Sequence, residues 1–239
     1  MKSAEIYNEI LRRSKANEKM LAFLVDPDKA EDNHLKALCK LAEEQGVALF
    51  LVGGSLLTGG DLETTISTLK SYSSIPVVIF PGSPSQISEA ADALLFLSLL
   101  SSRNPEMLIG QQVVAAPYLY KRNIEVISTA YLLIEGGRQT TASYISNSNP
   151  IPANKAEIAA FTALAGEYLG MSQVYLDSGS GAQNEVPPKM IEAVRKKIDV
   201  PLIVGGGIDS PAKIAAAHQA GADLVVIGNA LEKGLKIFD

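Results

Sequence analysis

The chain has 239 residues, a formal net charge of −5 and a single cysteine, Cys39. A barrel-sized chain buries roughly 70–75% of its unfolded surface and needs no staple, and one cysteine excludes an internal disulfide framework. The acidic balance argues against nucleic-acid binding, which needs basic surface, and no apolar run approaches the roughly 20 residues of a membrane span.

The N-terminal segment, residues 1–13, patterns as an amphipathic helix carrying acidic residues, unlike a signal peptide, and the lone cysteine leads to the expectation of a cytoplasmic protein. The first apolar run, Leu21–Val25, stops at Asp26-Pro27. A helical pattern over Asp32–Gln45 ends at Gly46, and Cys39 shares its apolar side with Leu35 and Leu38, which reads as a buried thiol. Further apolar runs follow at Ala48–Val52, Val77–Phe80, Ala93–Leu97, Glu125–Ile134, Gln173–Leu176, Leu202–Val204 and Leu224–Ile227. Continuous rather than alternating runs suit parallel strands covered on both faces. Between them lie helical patterns such as Asn154–Leu169, closed by Gly170, and Ser210–Ala220, with Ser210 as N-cap, Pro211 at the first turn and Gly221 at the end. Eight strand–helix alternations without a linker predict one α/β domain over residues 1–239, a TIM-like (β/α)₈ barrel.

Two intervals break the pattern. Between Phe80 and Ala93 the chain holds Pro81 and Pro84 and has little room for a crossover helix, so the third helix is expected to be missing or vestigial. The gap reads either as a shortened loop with neighbours leaning in or as an apolar groove fit for a long hydrocarbon. The polar stretch Glu135–Asn154 follows the fifth strand on the catalytic face, where it would form a lid or a mobile loop without a chemical role.

The strongest signal lies in three glycine turns, Tyr175–Gly181, Gly205–Ile208 and Gly228-Asn229, each at the end of an apolar run. In (β/α)₈ barrels the loops after strands seven and eight hold phosphate, and Gly206, Gly207 and Gly228 let backbone N–H groups approach an anion. Asp26, at the end of the first strand, reads as a metal ligand, a base or a turn cap. With Ser55 at the end of the second strand and diphosphate oxygens it would suit Mg²⁺, which takes few protein ligands. Tyr175 and Asp177 alternate on the sixth strand and share a face, so Asp177 is placed to accept a proton from a substrate hydroxyl or merely to cap its turn. Arg103, after the fourth strand, is the candidate cation for a diphosphate or an exposed helix-start residue. His34 and His218 lie in helical patterns and read as surface or packing residues.

At these residues the chain resembles the geranylgeranylglyceryl phosphate synthase family. The resemblance rests on Asp26-Pro-Asp-Lys29, Val52-Gly-Gly-Ser55, Ser102-Arg-Asn-Pro105, Tyr175-Leu-Asp-Ser-Gly-Ser-Gly-Ala182, Gly205-Gly-Gly-Ile208 and Gly228-Asn-Ala-Leu231, and covers nearly the whole length. It implies a barrel lacking its third helix. It also implies transfer of a long prenyl group, with geranylgeranyl diphosphate as the expected donor, to the 3-hydroxyl of sn-glycerol 1-phosphate. By the family pattern Asp26 and Ser55 would hold Mg²⁺, and Tyr175, Leu176, Asp177, Ser178, Gly179, Ser180, Gly181, Gly206, Gly207, Gly228 and Asn229 would hold glycerol phosphate, with Asp177 and Tyr175 as the catalytic pair. The family usually carries Glu where this chain has Asp177, one methylene shorter. Competing readings are a phosphosugar isomerase or cyclase using Asp26 and Asp177 across the mouth, and a non-catalytic sensor of glycerol phosphate. The run Met107–Tyr120 suits core packing or an interface in a homo-oligomer, and a lipid-linked substrate implies transient contact with a membrane surface.

Overall fold

Each of the eight apolar runs becomes a parallel strand. In the computed structural model, which describes residues 4–232, 237 and 238, the strands close into a barrel in sequence order. They are β1 (Met20–Val25), β2 (Leu49–Val52), β3 (Val77–Ile79), β4 (Ala93–Leu99), β5 (Glu125–Leu133), β6 (Gln173–Asp177), β7 (Leu202–Gly205) and β8 (Leu224–Ile227). Closure comes from β1 against β8, where Met20 pairs with Leu224 and Phe23 with Ile227. The helices are α1 (Glu5–Lys15), α2 (Asp32–Glu44), α3 (Leu62–Tyr72), α4 (Gln111–Tyr120), α5 (Thr141–Ile145), α6 (Ala156–Tyr168), α7 (Pro188–Arg195), α8 (Pro211–Gln219) and α9 (Asn229–Glu232). No helix among the described residues is long and apolar enough to cross a membrane.

The two-residue period of a strand divides the core into shells. Met20, Ala22, Leu49, Leu51, Val78, Leu95, Tyr131 and Tyr175 fill the barrel, while Phe23, Phe50, Val52, Ile79, Leu132 and Leu176 pack outward against helices. Cys39 belongs to the outer shell, and burial raises its thiol pKa to about 11, so it is the inert thiol its pattern indicates. Helix α1 closes the barrel floor. Ile10 packs into the inner shell, and the Glu125 carboxylate accepts the N–H groups of Ile6 (2.9 Å) and Tyr7 (2.8 Å), an acid at a helix N-terminus. Met1–Ser3, the start of that expected helix, lie outside the described residues.

No helix joins β3 to β4. Residues 80–92 run as turns, and the buried Gln86 amide does the tethering: its Oε1 accepts from Gly82 N–H (3.0 Å) and its Nε2 donates to Gly54 O (3.1 Å). With Lys70 donating to the Ala90 carbonyl and Asp92 as further ties, these turns stand in for the absent helix and leave the outer face of β4, with Leu94 and Phe96, open to a trough. Helix α4 forms the far bank. One π-helical turn, Glu106–Gly110, precedes it, and Ser98 donates to the Leu108 carbonyl there (2.7 Å). Over residues 107–120 only Ala115 and Leu119 are buried; Ile109, Val113, Val114 and Tyr118 face outward, so core packing does not account for this run.

The stretch after β5 is more ordered than its composition suggests. Thr140 and Ser143 satisfy each other's backbone N–H groups in a capping box, which starts the short helix α5.

Candidate active site

The C-terminal ends of the strands open into one cavity of about 870 Å³. Asp26 and Ser55 line it on one side, and Asp177, Gly181, Gly206, Gly228 and Asn229 on the other. The two halves of the mouth therefore face a common space with no wall between them.

The β6–β8 half is built from backbone. Gly179, Gly181, Gly206 and Gly207 all adopt positive φ, between 67° and 88°. At Gly206 the reason is explicit: a Cβ there would lie 2.6 Å from Asp177 Oδ1 and 2.7 Å from the Gly179 nitrogen. The side chain of Asn229 ties two turns together, its Oδ1 accepting from Gly181 N–H (2.7 Å) and from Ser180 Oγ–H (3.0 Å). Helix α8 begins beside this cradle, with Ser210 accepting the Lys213 N–H at its cap. The N–H groups of Gly179 and Gly181 are taken by Asp177 and Asn229, and glycine turns of this kind beside a helix start suit an anion.

Below the cradle stand two buried tyrosines and one buried carboxylate. Tyr131 and Tyr175 are register partners on β5 and β6, and Asp177 follows two residues later at the top of the same face. Asp177 Oδ2 accepts from the Tyr131 hydroxyl (2.7 Å) and Oδ1 from Gly179 N–H (2.7 Å). Burial raises the Asp177 pKa above the ordinary carboxylate value, while those two donors pull it back. Burial, reinforced by the Asp177 charge, pushes both phenols well above their usual range. Phe80 completes an aromatic group, stacked on Tyr175 at 5.2 Å and edge-on to Tyr131 at 5.6 Å. Phe80 is the first residue after β3, so this group stands where the barrel interior meets the trough.

The β1–β2 corner is built from side chains. Asp26 accepts from Asp28 N–H (3.1 Å), so the turn-cap role is real, yet its carboxylate also lines the cavity against Gly54, next to Ser55. Asp28 staples the corner instead: it accepts from the N–H groups of Thr58, Gly59 and Gly60, which hold its carboxyl well below the usual range. Lys29 lies 3.5 Å from Asp26 and 2.7 Å from Glu232. Among the described residues no group of three or more His, Cys, Asp and Glu side chains could hold a metal. One carboxylate beside one hydroxyl fits Mg²⁺ only if the substrate and water complete its shell, which is how this ion is commonly bound.

The chain has known kin by sequence and by fold. A family model described as the PcrB family matches residues 13–237. The chain belongs to the PcrB family. It is an enzyme of the prenyltransferase class. The geranylgeranylglyceryl phosphate synthase of Spirosoma linguale is 49% identical over 225 residues, covering 94% of this chain and 90% of the relative. That of Chitinophaga pinensis is 48% identical over 229 residues, covering 96% and 91%. A crystal structure of (S)-3-O-geranylgeranylglyceryl phosphate synthase from Thermoplasma acidophilum, in complex with sn-glycerol-1-phosphate, superposes with a TM-score of 0.90 at 35% identity over 100% of this chain and 94% of that one. More distant barrels, such as an N-acetylmannosamine-6-phosphate 2-epimerase at 13% identity and TM-score 0.56, share the fold alone. The isomerase-type reading has no more than that likeness behind it.

In this PcrB-family chain the cavity gathers Asp26, Ser55, Tyr175, Asp177, Ser180, Gly181, Gly206, Gly207, Gly228 and Asn229. Three expected members contribute differently. Leu176 points into the outer shell, because it alternates with Tyr175, so its side chain cannot meet a ligand in the mouth. Ser178 is buried with an unpartnered Oγ, and Gly179 serves by holding Asp177. Arg103 is a correction. It lines a shallow outer depression with Ile158 and Phe161, and its guanidinium donates to the Leu100 and Ser102 carbonyls. The turn that carries it is pinned by Asn104, which donates from its N–H to Ser102 Oγ (2.8 Å) and from Nδ2 to Ser146 O (2.9 Å), and this directs Arg103 outward. The basic residues that do line the mouth are Lys29 and Arg138. Neither was assigned from the sequence, nor was Tyr131. A tyrosine inside an apolar strand and an arginine in a lid loop were the available signals.

Proposed function

We propose that this enzyme joins the 3-hydroxyl of sn-glycerol 1-phosphate to a long-chain prenyl diphosphate, geranylgeranyl diphosphate above all, with Mg²⁺ as its cofactor. The observation that carries the reading is the single cavity, in which a glycine cradle for an anion, a buried proton acceptor, a sparse carboxylate–hydroxyl corner and an apolar trough are continuous. The names of the relatives and the glycerol phosphate bound in the Thermoplasma acidophilum structure support the same assignment.

The roles follow from placement. The phosphate of the acceptor is held by N–H groups of the cradle, with its glycerol reaching down toward Asp177. Asp26 and Ser55 would hold Mg²⁺, which when bound would neutralise charge on a departing diphosphate. The prenyl tail lies in the trough between Phe80, Leu94, Phe96 and Leu119. Carbon 1 of the prenyl group parts from the diphosphate oxygen, the acceptor hydroxyl oxygen bonds to that carbon, and the hydroxyl proton passes to Asp177. Its raised pKa suits this task. Dry walls around that carbon favour the bound hydroxyl over water. On this reading the protein works in the cytoplasm, as a homo-oligomer that touches the membrane surface to collect donor and release product.

The test is incubation with labelled sn-glycerol 1-phosphate, Mg²⁺ and a series of prenyl diphosphates, followed by product mass. An ether-linked prenylglyceryl phosphate is expected. No such product at any chain length would overturn the reading.

A further inference from the structure

The mouth carries one cation that nothing in the described structure neutralises. Four acidic side chains line the cavity, Asp26, Asp177, Asp209 and Glu232, against two basic ones, Lys29 and Arg138. Lys29 is engaged by Asp26 and Glu232. Arg138 has no hydrogen-bond or ion-pair partner among the described residues. A site for two polyanionic substrates that leaves a guanidinium unpaired at its rim has a donor in reserve.

Where the guanidinium stands decides which substrate it serves. It lies directly over Gly181, so close that a Cβ on that glycine would run into it. Gly181 belongs to the cradle, not to the Asp26 corner. The loop that carries Arg138 is seated on the same turn. The Gly136 carbonyl accepts from Gln183 N–H (2.8 Å) and Asn184 N–H (3.0 Å), and Thr140 packs on Gly179, 2.8 Å from where that residue's Cβ would be. Loop and cradle are thus one packed unit across the β5–β6 boundary.

We propose that Arg138 binds the phosphate of the acceptor, closing the open side of the cradle with a planar, two-pronged donor. This rests on the reading above that the cradle takes glycerol phosphate. Backbone N–H groups from β6, β7 and β8 approach the anion from below, and the guanidinium supplies a full charge from the lid.

The test is calorimetric titration of sn-glycerol 1-phosphate into the wild type, Arg138→Ala and Arg138→Lys without any prenyl donor, with KM for the donor measured separately. Arg138→Ala is expected to weaken acceptor binding roughly 10- to 100-fold, Arg138→Lys to recover part of the loss, and donor KM to stay within about twofold. Arg138 is exposed, so melting temperatures should match. Unchanged acceptor affinity in Arg138→Ala would overturn the proposal. So would a rise confined to donor KM, which would hand the guanidinium to the diphosphate. If the wild type itself bound no glycerol 1-phosphate, the function reading would fall and this proposal with it; wild-type binding unaffected by the substitution would sink this proposal alone.

Discussion

The two halves of the mouth are built by opposite means. Around β6–β8 the lining is main chain, shaped by glycines at positive φ and cross-tied by Asn229. Around β1–β4 they are side chains, Asp26, Ser55 and Lys29, next to a trough left by a missing helix. The first arrangement suits an anion of fixed shape that stays attached to its molecule. The second suits a charge that must leave and a flexible tail that must slide. The contrast also says how each half fails. A backbone cradle is broken by adding an atom, whereas a side-chain corner is broken by removing one.

The largest effect is therefore expected at Asp26. Asp26→Asn should lower kcat/KM by more than roughly a hundredfold, while calorimetric binding of glycerol 1-phosphate stays close to wild type, because the carboxylate faces the other half. Equal loss of both would erase the distinction between the halves. Addition is tested at Gly206. Its φ of 81° and the 2.6 Å approach to Asp177 Oδ1 leave no room for a methyl group. Gly206→Ala should cost about 1–3 kcal/mol of stability and weaken glycerol 1-phosphate binding by more than roughly tenfold, read by thermal melting and calorimetry. A variant that melts and binds like wild type would show that the cradle is not shaped by this glycine.

The sequence made the halves unequally legible for the same reason. Apolar runs bounded by Gly, Pro and Asp mark all eight strands, because strands covered on both faces must be apolar throughout. The missing helix was legible too, since two prolines in twelve residues leave no space for a crossover. Glycine turns announce a backbone site because few other reasons place so many glycines after buried strands. Side-chain sites announce themselves less. Arg103 and Arg138 both follow strands on the catalytic face, and only the hydrogen bonds of Asn104 and the docking of Gly136 turn one outward and seat the other over Gly181. Those are long-range contacts with no local pattern. Tyr131 is hidden likewise, its role resting on pairing across β5 and β6.

Between the halves sits Asp177, and its titration offers the next test. Burial raises its pKa above the ordinary carboxylate value of 3.8, so the folded protein keeps this proton at pH values where the unfolded chain has lost it. Across that window the native state binds more protons, and stability falls as pH rises from 3.8 to the folded-state pKa. Asp177→Asn should thus melt a few degrees higher than wild type at neutral pH, with the difference vanishing below 3.8, while turnover drops roughly a hundredfold. A lower melting temperature at neutral pH would mean that the carboxylate is stabilised by its two donors rather than strained by burial. A smaller effect is expected from Tyr131→Phe, which deletes the hydroxyl that lowers this pKa. The acid limb of the kcat profile should move to higher pH, with a loss at the plateau of less than roughly tenfold. A limb that stays put would assign the titration to another group.

The smallest effect is expected outside the mouth, and it sharpens the boundary of the site. Arg103 is exposed, its guanidinium donates to the carbonyls of Leu100 and Ser102, and its neighbours in the outer depression are Ile158, Phe161 and Leu169. A diphosphate bound there would have to shed water against apolar side chains and would lie on the helix side of the wall, away from Asp26 and the cradle alike. Arg103→Ala should leave donor KM within about twofold and stability within about 0.5 kcal/mol, measured by initial rates at saturating glycerol 1-phosphate and by melting. A tenfold rise in donor KM would require the Leu100–Asn104 turn to swing inward when the donor binds, breaking the Asn104 bond to the Ser146 carbonyl. The β1–β4 half would then be a corner assembled by its ligand, in contrast to a cradle that its glycines hold ready before any ligand arrives.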